Sequence, residues 1–355
     1  MAQPTADPPE DFPLEPAVCQ SVLNALMDKL DSYVFPEAAE RIRQDITQRL
    51  AEGGYGDITG GAQLAATLTA QLQTLSADPQ LQLYFSPVPL PHLEPAAAPT
   101  AEEIARQQHL SSLRNFDFNR VERWRGNVGY LELFGFEPPE FAGETAAAAM
   151  AFLAHTSALV IDLRFNRGGS PGMVTLLCSY LFPAYPPVHL NDLYWRDTNS
   201  THQWWTLPHV PGQRYLDKPV LVLIGPETFS AAEEFAYNLQ TQQRATVVGE
   251  TSRGGAHPGS GHRLHDHFWV FIPNGRAINP LTGTNWNGTG VIPDVKVPAE
   301  LAPKTAHLIA LTQLLETTQQ ETAAFRRELE EARHIAEREL NEQRANLISQ
   351  LGVSK

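Results

Sequence analysis

Apolar residues recur at helical spacing in the first part of the chain. Stripes with one apolar residue every three or four positions predict three short amphipathic helices with brief loops between them. Alternation of apolar and polar residues over residues 78–85 adds a strand. We therefore predict a small N-terminal helical domain over residues 17–85, after a disordered head, residues 1–16, rich in proline and acidic residues. The stripes are Val22, Leu26, Leu30 and Tyr33; then Ala39, Ile42, Ile46 and Leu50; then Leu64, Leu68 and Leu72.

The pattern changes to alternating strands and helices in the middle of the chain. A proline-rich linker and a helix, residues 86–113, lead to a predicted β-hairpin with its turn at Gly126-Asn127. Continuous apolar runs then alternate with helical stretches, which predicts helices packed on the faces of a sheet. Further hairpins are predicted over residues 188–216 and at the turn Asn274-Gly275, and a last strand over residues 290–295.

The C-terminal region carries a narrow apolar stripe among many charged residues. Residues 305–351 are predicted to form one long helix or two in succession. The stripe is expected to pack on the core as far as Leu315 and then to continue as a solvated helix or as a helix paired with a second copy. We accordingly predict an α/β core over residues 114–302 and a C-terminal helical extension over residues 303–355, through which a homo-oligomer could form.

The charge balance and the cysteine count limit the classes of function. The chain has 26 Lys and Arg residues against 40 Asp and Glu residues, a net charge of −14. Nucleic acid and anionic membrane surfaces attract clustered basic residues, so neither is expected as a partner. Two cysteines, Cys19 and Cys178, exclude a disulfide framework. We recognise no export signal and no apolar stretch of spanning length, and a cytoplasmic location is expected.

One serine lies where an apolar run ends and a helical pattern begins. Residues 219–224 are apolar, Gly225-Pro226 predicts a turn, and a helix with Phe235 and Leu239 on one face starts just after Ser230. At such a junction a serine hydroxyl is raised above the edge of the sheet, and N–H groups at the helix start can stabilise an oxyanion. Serine is also an ordinary helix N-cap, so the local pattern leaves both roles open.

Three segments, in order along the chain, resemble one protein family. Residues 161–169, IDLRFNRGG, resemble its glycine turn. Residues 228–233, TFSAAE, resemble its nucleophile segment, and residues 285–294, NWNGTGVIPD, resemble its closing motif. Together they resemble the tail-specific, or C-terminal processing, serine peptidases over about residues 26–297.

The resemblance implies a fold and a set of site residues. The fold is α/β, a ClpP/crotonase-like mixed sheet with flanking helices. Ser230 matches the nucleophile, and the backbone N–H groups of Ala231 and of Gly168 or Gly169 match the oxyanion donors. No cofactor and no metal are implied, and the expected partner is a peptide or a small apolar ligand.

The resemblance can be narrowed to one branch of this family. Members that use a Ser-Lys pair carry the lysine in a segment that matches residues 249–256, where Gly255 stands in the place of lysine. Too few residues separate the helical domain from the core for an inserted PDZ domain. The chain therefore resembles the branch of interphotoreceptor retinoid-binding protein and the catalytic part of tricorn protease.

Two residues depart from what this branch implies. Gln80 stands where a D-x-H-L segment has the histidine base, and Asn287 stands where an N-W-E-G segment has the glutamate that orients it. Glutamine cannot accept a proton at neutral pH, and a serine without a base is a weak nucleophile. The expected function is a hydrolase or acyl-transfer protein of the serine peptidase type whose activity is weak, altered or lost. The alternative is a catalytically silent module that binds a peptide terminus or an apolar small molecule.

Other histidines could supply a base. Four follow the nucleophile helix, and His92 lies in the linker. A single histidine is more often a surface or hydrogen-bonded residue than a catalytic one. Their spacing also lacks the matched fourth ligand of a zinc site. The sequence therefore leaves the identity of any base open among His92, His257, His262, His265 and His267.

Overall fold

The structure, a computed structural model, describes residues 13–91, 99–317 and 322–350. His92 and most of the predicted disordered head lie outside the described residues. The chain divides into two compact units, each built from three separate segments, and the contiguous domain boundaries expected from the sequence stay a prediction. The first unit is Met1–Ala98, Leu193–His202 and His257–Ala277, and the second is Pro99–Asp192, Gln203–Ala256 and Ile278–Lys355.

The helices and strands follow one another in the predicted alternation. The α-helices are α1 Pro16–Lys29, α2 Pro36–Ala51, α3 Gly61–Ser76, α4 Ala101–Ser112, α5 Pro139–Leu153, α6 Pro171–Leu181, α7 Ala231–Thr241, α8 Ala302–Thr317 and α9 Ala323–Gln350. The strands are β1 Gln82–Phe85, β2 Phe118–Trp124, β3 Val128–Leu133, β4 Ala158–Asp162, β5 His189–Trp195, β6 Ser200–Trp205, β7 Val220–Ile224, β8 Thr246–Gly249, β9 Gly259–His265, β10 Phe268–Pro273, β11 Gly275–Ile278 and β12 Val295–Lys296.

The first unit packs helices α1 to α3 on a three-stranded antiparallel sheet of order β1-β10-β9. The apolar stripes of the three helices are buried together with alternate residues of the sheet. On the sheet, Leu83 lies opposite Val270, and Phe268 and Ile272 point into the same core. The predicted N-terminal helical region is confirmed, and the strand alternation of β1 and β10 places one face of each strand in its core.

The hairpin predicted at Asn274-Gly275 is wrong. β10 pairs with β9 before it and with β1, whereas β11 belongs to a separate sheet of order β11-β5-β6. Pro273 has no N–H with which to continue the ladder. The N–H groups of Asn274 and Gly275 both donate to the carbonyl oxygen of Pro258, at 3.1 and 3.0 Å. The chain therefore leaves one sheet here instead of turning back along it.

The second unit is built on a mixed six-stranded sheet of order β12-β8-β7-β4-β3-β2. β2 is antiparallel to β3, and the other neighbours are parallel. Every residue of β3, β4 and β7 is buried, which explains why these strands are continuous apolar runs in the sequence. The predicted mixed sheet with flanking helices is confirmed. Asp162 at the end of β4 lies opposite Leu223 of β7, so the loops after these strands start at one edge.

The strand predicted over residues 290–295 is reduced to the two residues of β12. The residues before it bond to a loop instead of a strand. The N–H of Gly288 donates to the carbonyl of Gly254 at 2.9 Å, and the N–H of Val291 donates to Ser252 Oγ at 2.7 Å. The closing motif is therefore mostly irregular backbone, held against the loop that follows β8.

The C-terminal region forms two helices, α8 and α9. The apolar stripe of α9, Leu329, Ala332, Ala336 and Leu340, is buried, and most of it joins the core cluster that contains Leu311 of α8. The expectation that the chain is solvated or paired with a second copy beyond Leu315 is therefore wrong for this stripe, because it packs on its own chain. None of the helices within residues 13–91, 99–317 and 322–350 is both long and apolar enough to cross a membrane.

Candidate active site

The turn between β7 and α7 is fixed to the loop that follows β4. Thr228 is fully buried, and its hydroxyl donates to the carbonyl of Leu163 at 2.8 Å while it accepts from the N–H of Gly225 at 2.9 Å. The N–H of Phe229 donates to the carbonyl of Asn166 at 3.0 Å. These bonds hold the segment before Ser230 against the sheet edge.

Ser230 has an unusual backbone conformation. Its φ is 57° and its ψ is −123°, whereas an ordinary N-cap residue lies in the extended region. A residue with a β-carbon is strained at such angles and keeps them only where its surroundings enforce them. Ser230 is only half-buried. The geometry resembles that of a nucleophile presented on a sharp strand-to-helix turn, rather than that of a simple helix cap.

Gly168 packs directly against the serine turn. Its φ is 98°, and a β-carbon added there would lie 2.8 Å from Ser230 Cβ and 3.0 Å from the backbone nitrogen of Ala231. Its N–H donates to Asn166 Oδ1 at 2.8 Å. By contrast, the N–H groups of Gly169 and Ala231 make no hydrogen bond to any residue that the structure describes. Of the two glycines left open by the sequence, Gly169 therefore has the available donor.

A buried carboxylate, not identified from the sequence, anchors the serine turn. Glu233 is fully buried, in the first turn of α7. It accepts hydrogen bonds from the N–H of Ser230 at 2.8 Å, Ser252 Oγ at 2.6 Å, and the N–H groups of Gly254 and Gly255 at 2.6 and 2.8 Å. Burial raises the pKa of Glu233, and these bonds oppose the rise. The Ser-x-x-Glu spacing of a capping box was the signal that could have found it.

A side chain at Gly255, the position that matches the family lysine, would overlap Phe229 in this backbone. A β-carbon on Gly255 would lie 2.0 Å from Phe229 Cε2 and 2.5 Å from Phe229 Cζ. The ring of Phe229 is covered on another side by Arg253, whose guanidinium carbon is 5.0 Å from the ring centroid. A Ser-Lys pair at this place is therefore excluded by packing as well as by residue type.

Asn287 supports the backbone next to Gly255. Its Oδ1 accepts from the N–H of Ala256 at 3.1 Å, and Nε1 of the neighbouring Trp286 donates to the carbonyl of Gly255 at 3.1 Å. Ser230, Ala231, Gly168, Gly169 and Asn287 all belong to the second unit.

Gln80 belongs to the first unit and contacts His257 there. Its Oε1 accepts from the backbone N–H of His257 at 2.8 Å. The ring Nδ1 of His257 is 3.0 Å from Asp78 Oδ2, and the hydroxyl of Tyr33 donates to the same oxygen at 3.1 Å. His257 is 7% exposed and Asp78 1%. A buried histidine–carboxylate pair thus lies beside the position where the sequence lacks its histidine.

His262 and His267 lie in other environments. Nδ1 of His267 bonds to the carbonyl of Ser86 at 2.8 Å. Desolvation lowers the pKa of His262. Within the described residues, no group of three or more His, Cys, Asp or Glu side chains is placed to hold a metal ion.

The next residue after Glu233 is a second buried carboxyl group in a different environment. Glu234 is 4% exposed, and its Oε1 has no hydrogen-bond partner among the described residues. Burial raises its pKa to about 8. Two adjacent glutamates of α7 therefore differ in their tendency to ionise, because four donors surround the first and few surround the second.

The fold and the strained serine define a class, the serine peptidase-like hydrolases. Residues 127–297 match peptidase family S41, and residues 15–118 match the N-terminal domain of peptidase S41 in eukaryotic IRBP, the interphotoreceptor retinoid-binding protein. The chain belongs to peptidase family S41 and carries this N-terminal domain.

The individual proteins that the chain resembles share low sequence identity with it. A carboxy-terminal-processing protease of Bartonella bacilliformis is 27% identical over 186 residues, which cover 51% of this chain and 41% of that protein. A solved structure from Parabacteroides merdae has a TM-score of 0.52 at 15% identity, over 79% of this chain and 90% of that one. The photosystem II D1 C-terminal processing protease has a TM-score of 0.49 at 16% identity, over 81% and 95%. The structural likeness extends to the fold alone.

We expect Gly255→Ala to destabilise the protein, because its methyl group would overlap the Phe229 ring. Overpacking of this kind costs about 1–3 kcal/mol of unfolding free energy, measured by urea denaturation. Gly143→Ala is the matched control: Gly143 lies inside α5 and has no atom within 4 Å of an added β-carbon. The control should be neutral or more stable by up to about 1 kcal/mol. Equal stability of the two variants would contradict the packing described.

The raised pKa of Glu234 predicts a pH dependence of stability. Between the ordinary carboxyl pKa of about 4.3 and the raised value of about 8, the folded protein keeps a proton that the unfolded chain has released. The unfolding free energy contributed by this group therefore falls as pH rises through that window. Glu234→Gln, which is always neutral, should lose less unfolding free energy than the wild type between pH 5 and pH 8 in urea titrations. Glu337→Gln, on the exposed face of α9, should follow the wild type, and a Glu234→Gln curve parallel to both would disprove the assignment.

Proposed function

We propose that this protein is a serine hydrolase that cleaves peptides by acyl transfer, with Ser230 as its nucleophile. The observation that carries the proposal is the backbone of Ser230, held at φ 57° and ψ −123° against Gly168. An N-cap serine needs no such strain, whereas strained residues cluster at active sites.

Two backbone donors support the same reaction. In the proposed step Ser230 Oγ attacks a carbonyl carbon, and negative charge develops on the carbonyl oxygen. The N–H groups of Gly169 and Ala231, which bond to no described residue, are the proposed oxyanion donors. A single donor of this kind contributes about 10²–10³-fold in rate. Backbone donors are also indifferent to the side-chain changes at positions 80 and 287.

The proposed substrate class comes from the family. Membership in peptidase family S41 favours an amide substrate, and the Bartonella homologue is named a carboxy-terminal-processing protease. The match covers only 41% of that homologue, so its name does not establish a substrate for this chain. We include a peptide with a free C-terminus as part of the proposal. The rate depends on the group that takes the proton of Ser230, because a serine without a base is a weak nucleophile.

A fluorophosphonate probe tests the nucleophile. Attack by Ser230 Oγ forms an O–P bond and expels fluoride, so wild-type protein should gain one covalent adduct between pH 6 and pH 9, seen as a mass shift of the intact chain. Ser230→Ala should gain none. Ser349→Ala, at an exposed position of α9, should react at the wild-type rate. A wild-type chain that stays unmodified throughout this pH range would refute Ser230 as a nucleophile.

A silent binding module is the second candidate. It is favoured by one observation, that the side-chain oxygens of Gln80 and Asn287 accept from backbone N–H groups and thus serve the loop's structure. This candidate requires no adduct at any pH, together with saturable binding of a peptide terminus or an apolar small molecule that is equal in wild type and Ser230→Ala. Fluorescence anisotropy with a labelled peptide measures the binding, and adduct formation by the wild type excludes this candidate.

A further inference from the structure

A cavity of about 510 Å³ lies between the turn that joins β2 to β3 and the two C-terminal helices, within the second unit. The turn is packed tightly on these helices, because a β-carbon added to Gly126 would lie 2.3 Å from Leu311 Cδ2 and 3.2 Å from Leu329 Cδ2. The Nε2–H group of His307 donates to the carbonyl of Arg125 at 2.9 Å. Packing and a hydrogen bond therefore fix the walls, as in preformed ligand sites.

The cavity lies at the edge of the sheet opposite to the Ser230 turn. β3 and β4 are parallel, with Val128 opposite Ala158, and the N–H of Ser157 donates to the carbonyl of Asn127 at 2.7 Å. The turn between β2 and β3 is therefore at the amino ends of the parallel strands. The loops after β4 and β7, which lead to Ser230, start at the carboxyl ends of their strands. The cavity is thus separate from the candidate active site.

The cavity carries more positive than negative charge. Arg123 and Arg125 line it, and their guanidinium groups form no hydrogen bond or ion pair with any residue in the described part of the chain. The charge of Lys304 is compensated, because its Nζ lies 3.9 Å from Glu339 Oε2. His307 is neutral near pH 7, since desolvation lowers its pKa. Two positive charges are thus left for a ligand, on a chain whose net charge is −14.

Two further glutamates lie near the same arginines. Glu328 and Glu331 of α9 line a second cavity, of about 290 Å³, that shares Arg123 and Arg125 with the first. Neither carboxylate forms an ion pair with either arginine among the residues that the structure describes. These glutamates reduce the local positive potential but leave the N–H donors of the guanidinium groups available. A guanidinium group presents its donors in a planar fork that suits the oxygens of an anion.

The rest of the wall is mostly apolar. Trp124, Pro303 and Ile335 line it, together with the small side chain of Ala332. The ring of Trp124 is stacked on that of Tyr130 with centroids 4.3 Å apart, which fixes its position. Transfer of an apolar group from water to such a wall is favourable. The cavity therefore combines an apolar surface with two unpaired guanidinium groups.

We propose that this cavity binds a small organic anion, with its apolar body against Trp124 and Ile335 and its charged group on Arg123 and Arg125. The volume suits a free small molecule, since cavities for such ligands measure about 300–1,000 Å³. A carboxylate, a sulfonate and a phosphate all fit the chemistry, because each offers oxygens to the guanidinium donors. This inference goes beyond the proposed hydrolase activity and does not depend on it.

Two dyes of similar shape test the need for a negative charge. Anilinonaphthalene sulfonate (ANS) is an aromatic anion, and phenylnaphthylamine has the same rings without the sulfonate. Both gain fluorescence in an apolar site, so titration of the full chain gives their dissociation constants. The wild type should bind ANS more tightly than the neutral dye. Raising the ionic strength from about 0.01 to about 0.15 M, which shortens the screening length from about 30 to about 8 Å, should weaken the binding of ANS alone.

Variants locate the binding at this cavity. Arg123→Gln combined with Arg125→Gln should weaken ANS binding about tenfold, the effect of losing two exposed ion pairs, and leave phenylnaphthylamine binding unchanged. Arg106→Gln, at an exposed position of α4, is the matched control and should bind both dyes as the wild type does. Ile335→Trp fills the cavity and should remove the binding of both dyes. Both arginines are exposed, so the double variant decides the matter if Ile335→Trp does not fold.

The outcomes separate this inference from the proposed function. Equal ANS affinity of the wild type and the double arginine variant overturns the anion site. Tighter binding of the neutral dye than of ANS also overturns it, because the cavity would then be a site for apolar ligands. Ser230→Ala should bind ANS as the wild type does. Failure of fluorophosphonate labelling and failure of ANS binding are therefore independent results.

Discussion

The hydrogen bonds accepted by the buried carboxylate of Glu233 are the interactions on which the rest of the candidate site depends. It joins the N–H of Ser230 to the side chain of Ser252 and to two N–H groups of the following loop. A buried charge is costly unless its oxygens are fully bonded, so the carboxylate is tolerable only when all these groups converge. These hydrogen bonds also hold the backbone turn at Ser230 in place. One side chain thereby makes the strained conformation of Ser230 and the path of the loop depend on each other.

Glu233 and Glu234 show how local donors set the chemistry of neighbouring carboxyl groups. They are adjacent on α7, and both are almost completely buried. Four donors reach Glu233, whereas Glu234 Oε1 has no partner in the described part of the chain, and burial raises the pKa of Glu234 to about 8. Two adjacent buried carboxyl groups of α7 thus differ in the number of hydrogen bonds that favour their charged form. Burial alone does not decide the charge of an acidic residue.

Many helices and strands could be predicted from the spacing of apolar residues, because the buried face of each element needs apolar side chains at regular positions. The stripes of α1 to α3 and the apolar runs of β4 and β7 are examples. The hairpin at Asn274-Gly275 was mispredicted because the deciding acceptor, the carbonyl of Pro258, is a backbone atom with no signature in residue type. At the candidate site, the motifs drew attention to Ser230 and to Gly168 and Gly169, which the structure places in contact or close by. The bonds of Glu233 to Gly254 and Gly255, and the contact between Asp78 and His257, join segments that are distant in the chain, which local spacing does not encode.

The loop of residues 254–257 has a consequence for how such a protein can change over generations. Strands are held by backbone hydrogen bonds, which tolerate many side-chain substitutions. The N–H groups of this loop instead donate to the oxygens of three side chains, those of Glu233, Asn287 and Gln80. A few codon changes can therefore redirect it while the sheet stays intact. The fold thus contains, next to the Ser230 turn, a short segment whose course is set by side chains and can be altered separately from the sheet.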